Sequence, residues 1–112
     1  MSDLLEPLTF TRGPAMKNRF MLAPLTNSQS EENGEMSEEE FLWLTKRAEG
    51  DFGLTMTCAA HVQAVGKGFP GQLGVWSDDH VPGLKRMAEK STRTTAFLLC
   101  SYIMPATVRP KT

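Results

Sequence analysis

The 112-residue sequence lacks the features by which nucleic-acid-binding, membrane-spanning and secreted proteins are recognised. Its 12 basic residues are balanced by 13 acidic ones, and no basic stripe with interleaved aromatic side chains suggests a DNA- or RNA-binding protein. No apolar run approaches the roughly 18 residues that a membrane span requires. The start, Met1 to Pro7, has no basic segment followed by an apolar core. We therefore expect a cytoplasmic protein that binds neither nucleic acid nor membrane.

Cysteine and histidine are also scarce, with two residues of each. Cys58 and Cys100 lie far apart in apolar stretches, which favours buried thiols in a reducing compartment over a disulfide framework. Cys58, His61 and His80 form a C-x-x-H pair with a distant third residue, which is neither the number nor the spacing of a zinc site. We predict no metal site.

The first part of the chain predicts a hairpin followed by a buried strand. Residues Leu4 to Arg19 are broken by two prolines and a glycine, which indicates a hairpin or cap rather than a core element. The run from Phe20 to Leu25 is nearly all apolar, as in a parallel strand buried on both faces. Pro24 should end its pairing.

A helix is predicted next. Ser37 and Glu40 have the spacing of a capping box, in which the hydroxyl accepts from the third helical N–H and the carboxylate reaches back. Gly50 is a natural end. The apolar stripe of this helix consists of Phe41, Leu44 and Ala48. The glutamates of this region are interpreted as a solvated loop and helix face rather than paired catalytic carboxylates: Glu31, Glu32, Glu35, Glu38, Glu39 and Glu40.

The second half repeats this order. Phe52 to Ala60 predicts another buried strand, and a long loop runs from His61 to about Trp76. A second helix follows, with cap candidates at Ser77 to Asp79 and Pro82 in its first turn. Its predicted inward face consists of Leu84, Met87 and Ala88. With a third apolar run, Ala96 to Met104, the alternation indicates a parallel α/β sheet or barrel.

Two short segments raise the question of a ligand. Gly66 to Gly71 has the letters G-x-G-x-x-G, but the strand ends earlier and Pro70 interrupts the motif, so a loop with turn-forming glycines is favoured over a dinucleotide site. Ala23 to Thr26 lie at the C-terminal end of a predicted strand, where barrels and open sheets bind ligands. On these residues alone, a ligand site and a strand that simply ends at a proline both stay open.

Several blocks of the sequence together resemble the start of old yellow enzyme, of the NADH:flavin oxidoreductase family. They are Glu6–Thr9, Lys17–Arg19, Phe20–Thr26, Arg47–Gly50, Phe52–Leu54, Gly66–Gln72, Gly74–His80 and Pro82–Leu84. The resemblance covers about residues 4–89. It implies that residues 1–89 are the N-terminal portion of an incomplete TIM (β/α)₈ barrel, with about two βα units and an N-terminal hairpin.

The resemblance also implies a set of residues that bind FMN: Ala23, Pro24, Leu25, Thr26 and Ala59. In the family, Thr26 would lie near the flavin carbonyl edge, where a donor can tune reduction, and a small residue at Ala59 would leave room for the ring. Cys58 departs from the family pattern, in which a glutamate commonly precedes the small residue. Asn27 also differs from the residues often found after Thr26, which leaves substrate contacts open.

By the same resemblance, NAD(P)H would reduce FMN, which would then reduce the activated C=C bond of an α,β-unsaturated carbonyl compound. The family's carbonyl-anchoring pair, tyrosine proton donor and phosphate-binding loops would all fall beyond residue 112, so we predict no catalytic residue here. Two alternatives stay open, a truncated product without activity of its own and a small flavin- or partner-binding module. An incomplete barrel exposes an apolar sheet edge, which predicts marginal stability, aggregation or an oligomer.

The match to the family collapses from Lys90 onward. If the last base of each codon is read with the first two of the next, Leu99 to Lys111 can encode LQLYHAGNRPPK, close to the third strand expected of the family. Met104 followed by Pro105 forces the alanine in that string. We therefore expect residues 90–112 to be a frame-shifted, non-native tail, and we expect the corrected reading frame to continue to a barrel of family length. We call the product of that corrected coding sequence the frame-restored protein.

Overall fold

The computed structural model describes residues 2–94 and 96–102. Three short 3₁₀ helices occur at Ser2–Leu5, Ala64–Gly66 and Asp78–His80. The remaining elements are β1 (Met21–Leu22), α1 (Glu38–Glu49), β2 (Leu54–Met56), β3 (Ala60–His61), β4 (Leu73–Gly74), α2 (Val81–Arg93) and β5 (Phe97–Leu99). Parallel strands form a sheet in the order β1-β2-β5 and a separate β3-β4 pair. The described residues are thus α/β, with two parallel sheets and no closed barrel.

The first helix has the predicted bounds. The Ser37 hydroxyl accepts a hydrogen bond from the backbone N–H of Glu40 at 3.1 Å, and the helix ends at Gly50. All three residues of the predicted stripe are buried. The second hydrogen bond of the predicted capping box, from the Ser37 backbone N–H to the Glu40 carboxylate, was a wrong prediction. The Glu40 carboxylate points inward and accepts from the Ser30 hydroxyl instead. The solvated-face interpretation is therefore wrong for Glu40, which is 0% exposed.

The first strand is shorter and more exposed than predicted. Only Met21 and Leu22 pair with β2, and Met21 is 49% exposed. Burial on both faces was a wrong prediction, because Leu22 packs against the core while Met21, which points to the opposite face, is not covered by the described residues. Before it, Leu8 and Met16 exchange two backbone hydrogen bonds of 2.9 Å, which confirms the hairpin as a single bridge.

Asn18 fastens the start of β1 to the turn before β2. Its side chain is buried, and Oδ1 accepts from the backbone N–H groups of Phe20 and Gly53 at 3.0 and 3.1 Å. Its Nδ2 donates to the carbonyl oxygen of Asp51 at 2.6 Å. A Cβ at Gly53 would lie 2.8 Å from Asn18 Oδ1, so glycine permits this close approach.

The second predicted strand is divided and the predicted loop is partly ordered as sheet. Residues 57–59 separate β2 from β3. Strand β3 begins at the end of the predicted strand and pairs with β4, which lies inside the stretch expected to be a loop. Helix α2 has Pro82 in its first turn as predicted. Of its expected inward face, Met87 is buried, Leu84 is half-buried and Ala88 is exposed. The buried stripe continues from Met87 to Ser91, one turn later, and not to Ala88.

The core lies between the two helices and the sheet. It consists of Phe41, Leu44, Cys58 and Met87, against which Leu22, Met36, Trp43 and Leu98 pack. Both cysteines are free; Cys58 is buried as predicted, whereas Cys100 is exposed just after β5. Part of the third apolar run forms β5, while Ile103 and Met104 lie outside the described residues. In residues 2–94 and 96–102 we find no helix long and apolar enough to span a membrane.

Candidate functional site

The three strands of the larger sheet are parallel, so their carboxyl ends lie along the same edge of the sheet. The segments that follow these strands remain hydrogen-bonded to one another. The backbone N–H of Thr57 donates to Leu99 O at 2.9 Å, and that of Ala59 donates to Leu25 O at 3.0 Å. Ala60 N–H donates to Ser101 O at 2.9 Å. Because parallel α/β sheets bind ligands beyond the carboxyl ends of their strands, this edge is the candidate site.

The structure brings the two predicted groups of site residues together at this edge. The bond between Ala59 and Leu25 joins them directly. Residues 23–26 are exposed, with Leu25 46% accessible, whereas Ala59 is 4% exposed. Among the described residues nothing hydrogen-bonds the Thr26 hydroxyl, which leaves it available as a donor. The edge therefore presents an accessible, uncharged run of chain beside a small buried side chain.

A buried polar cluster lies directly behind this edge, and sequence reasoning missed it. The hydroxyl of Ser30 donates to Oε2 of Glu40, and the Cys58 thiol also interacts with the Glu40 carboxyl. Asn27 interacts with the same thiol. Oε1 of Glu40 makes no well-formed hydrogen bond within the described residues. We call Asn27, Ser30, Glu40 and Cys58 the Glu40 cluster.

The surroundings of the Glu40 cluster shift the ionisation of its two acids. Burial raises the pKa of the Glu40 carboxyl above its ordinary value, and the Ser30 hydrogen bond opposes this only in part. Burial, together with the neighbouring Glu40 charge, raises the pKa of the Cys58 thiol to about 12. Cys58 is therefore a neutral thiol at physiological pH and not an activated nucleophile.

A signal for Glu40 was present in the sequence. Positions 40, 44 and 48 follow the i, i+4, i+8 spacing, so Glu40 falls on the same face as Leu44 and Ala48. The periodicity of the stripe indicated burial, whereas the capping-box rule indicated exposure. The structure follows the periodicity because Ser30 and Cys58 offer the carboxyl partners inside the fold.

His80, which precedes α2, contacts the loop that follows β1. His80 Nδ1 accepts from the backbone N–H of Ser77 at 3.2 Å, so its Nε2–H donates to the carbonyl oxygen of Asn33 at 3.0 Å. A Cβ at Gly74 would overlap the His80 ring, and Gly34 has φ +88°. Glycine at both positions lets β4 and the loop close on the ring.

In the glycine-rich segment from Gly66 to Gly71, the last glycine lets the backbone pass close to the loop after β1. Gly71 has φ +72°, a Cβ there would overlap the carbonyl group of Ser28, and its own carbonyl oxygen accepts from Ser30 N–H at 3.0 Å. The segment leads into β4 rather than into a helix, which is the turn-forming role expected of these glycines. In the part of the chain that the structure describes, no group of three histidine, cysteine, aspartate or glutamate side chains could hold a metal ion.

Comparison with known proteins agrees with this geometry. The sequence model of the NADH:flavin oxidoreductase / NADH oxidase family matches residues 3–103. The chain belongs to this family. A relative from Bacillus subtilis (strain 168), named a probable NADH-dependent flavin oxidoreductase, is 40% identical over 86 residues, which are 77% of this chain and 23% of the relative. The NADPH dehydrogenase of Geobacillus sp. (strain WCH70) is 36% identical over 86 residues, 76% of this chain and 25% of that protein.

Solved structures of the family show the same architecture. The old yellow enzyme of Trypanosoma cruzi superposes with a TM-score of 0.79 and 28% identity, over 92% of this chain and 27% of that chain. A 2-naphthoyl-CoA reductase superposes with a TM-score of 0.83 and 27% identity, over 92% of this chain and 16% of that one. The chain thus spans about a quarter or less of the length of these relatives, and its fold is the N-terminal portion of their TIM barrel.

Proposed function

We propose that the chain supplies the flavin-side surface of an FMN-dependent oxidoreductase that uses NAD(P)H to reduce activated C=C bonds of α,β-unsaturated carbonyl compounds. The observation that carries the proposal is the Ala59–Leu25 hydrogen bond, which sets a small residue beside an exposed strand end. This edge is where ligands bind in barrels, and the chain belongs to a flavin oxidoreductase family.

The residues at the edge fit a flavin. Ala23, Pro24 and Leu25 offer an accessible uncharged surface for a planar ring, and the small, buried Ala59 is held beside this surface by its hydrogen bond to Leu25. The exposed Thr26 hydroxyl can donate a hydrogen bond to a carbonyl oxygen at the rim of the ring. When bound, FMN supplies the hydride transfer between NAD(P)H and the alkene. We assign cofactor binding to these five residues and no catalytic role to any residue of the chain.

The test compares the chain with the frame-restored protein. Each is purified, freed of unbound flavin, and examined for visible flavin absorbance and for NAD(P)H oxidation with an enone substrate. We expect retained flavin and turnover in the frame-restored protein, and weak or no retention in the 112-residue chain. A frame-restored protein that retains no flavin would refute the proposed function.

A second candidate is a chain without catalysis of its own, and the exposed apolar side chains at the sheet edges favour it. Met21 on β1 and Leu99 on β5 are about half exposed, at 49% and 46%. Open apolar edges of this kind promote self-association. Sedimentation of the purified chain should show an oligomer or aggregate. A small flavin-binding module would instead be a monomer that unfolds cooperatively and retains flavin.

A further inference from the structure

We propose that Glu40 is a positioning residue that holds the loop after β1 and the segment after β2 in a fixed relation, and thereby sets Thr26 against Ala59. The inference rests on the proposed function and extends it to a residue that lies behind the flavin-side surface. Glu40 is fully buried in the first turn of α1, whereas its neighbours Glu38 and Glu39 are exposed.

Glu40 contacts both segments that carry the proposed flavin-binding residues. Ser30 lies in the loop that begins at Thr26, and its hydroxyl donates to Glu40 Oε2. Cys58 directly precedes Ala59, and its thiol interacts with the same carboxyl. One side chain on a rigid helix therefore joins two segments that are distant in sequence.

The loop is ordered between Thr26 and Ser30 by its own side chains. Asn27 Nδ2 donates to Gln29 Oε1 at 2.7 Å, and Asn27 also interacts with the Cys58 thiol. Ser30 N–H donates to the Gly71 carbonyl oxygen. A change at Glu40 is thus transmitted to Thr26 through a short, hydrogen-bonded stretch of chain.

Fold stability alone does not account for a carboxyl group at this position. Position 40 lies on the buried stripe of α1, where an apolar residue would avoid the desolvation of an acid. Oε1 of Glu40 lacks a well-formed hydrogen bond among the described residues, so part of that desolvation is uncompensated. The two links to Ser30 and Cys58 are what the carboxyl provides that an apolar side chain cannot.

The test uses the full 112-residue chain in a Cys100→Ser background. Glu40→Gln keeps the size of the side chain and removes its charge, and Ser30→Ala removes only the link to the loop. Glu31→Gln is the matched control, because Glu31 is an exposed carboxylate in the same loop. The readouts are amide hydrogen exchange at Ala59 and the ultraviolet absorbance of the Cys58 thiolate, referenced to a Cys58→Ser variant.

Glu40→Gln should lower the pKa of Cys58, with about tenfold more thiolate at a given pH for each unit of decrease. It should also accelerate exchange at the Ala59 amide about tenfold relative to the Leu8 amide of the hairpin. Ser30→Ala should accelerate exchange at Ala59 while leaving the Cys58 titration unchanged. The titration reports the contact between Glu40 and Cys58. A merely structural glutamate would accelerate exchange at the Ala59 and Leu8 amides equally.

Unchanged protection of the Ala59 amide in Ser30→Ala and in folded Glu40→Gln, relative to Glu31→Gln, would overturn the proposal. If Glu40→Gln does not fold, Ser30→Ala alone decides. FMN titration of the frame-restored protein separates the two inferences. Absence of flavin binding there refutes the proposed function, whereas the exchange result still decides the role of Glu40.

Discussion

The backbone N–H of Ala59 donates to the carbonyl oxygen of Leu25 at 3.0 Å, and these two residues lie three positions beyond the ends of β2 and β1. This hydrogen bond fixes the position of Ala59 relative to the exposed residues 23–26. It depends on backbone groups of the described chain, so the geometry of the proposed flavin-side surface is set within these two βα units.

The first prediction concerns the size of residue 59. Ala59→Leu should reduce FMN affinity by at least about tenfold, because the larger side chain occupies the volume proposed for the ring. Since Ala59 is buried, overpacking should also cost about 1–3 kcal/mol of stability. The measurement is quenching of flavin fluorescence in the frame-restored protein. Ala64→Leu, at an exposed position, is the control and should bind FMN normally.

The second prediction concerns the Thr26 hydroxyl. Thr26→Val should lower the reduction potential of bound FMN by about 10–30 mV, because a hydrogen bond to electron-rich reduced flavin contributes about 0.5–1.5 kcal/mol. The side chain is exposed, so stability should change by less than about 0.5 kcal/mol. The reduction potential of FMN bound to the frame-restored protein is measured by equilibration with a reference dye of known potential. Thr26→Ser retains the hydroxyl and should keep the wild-type potential; equal potentials in all three proteins would argue against the assignment.

Sequence predicted the longer elements well and the short contacts poorly. Helix α1 was predictable because its cap, stripe and terminal Gly50 act locally. The pairing of β3 with β4 was not, because two-residue strands carry too few side chains to show a period. The edge position of β1 depends on which strands surround it, and an apolar run does not reveal that. Glu40 was missed because the cap rule was given more weight than helical periodicity.

The third prediction is a pH dependence of stability that originates at Glu40. Burial raises the pKa of its carboxyl in the folded chain above the ordinary value of 4.5. The folded state then holds this proton more tightly, so the stabilisation is fully present below pH 4.5 and is lost as pH rises through the folded pKa. The free energy of unfolding should fall by about 1.4 kcal/mol for each unit by which the two pKa values differ.

Glu40→Gln should abolish this fall, as measured by urea unfolding at a series of pH values. The comparison is made between variants because the exposed Glu38 acts in the opposite direction, its pKa being lowered by its hydrogen bond to Arg86. Glu31→Gln should retain the wild-type slope. The same slope in Glu40→Gln and wild type would mean that another group titrates.

The last prediction concerns residues 90–112. Helix α2 continues through Lys90 to Arg93, and β5 pairs with β2 through backbone hydrogen bonds, which apolar side chains of many kinds would permit. Resequencing near the Lys90 codon should reveal a single-base insertion or deletion, and the corrected frame should read LQLYHAGNRPPK in place of Leu99 to Lys111. Codons that cannot give this string when shifted by one base would refute the prediction. In that case, β5 and the exposed Cys100 belong to the native sequence.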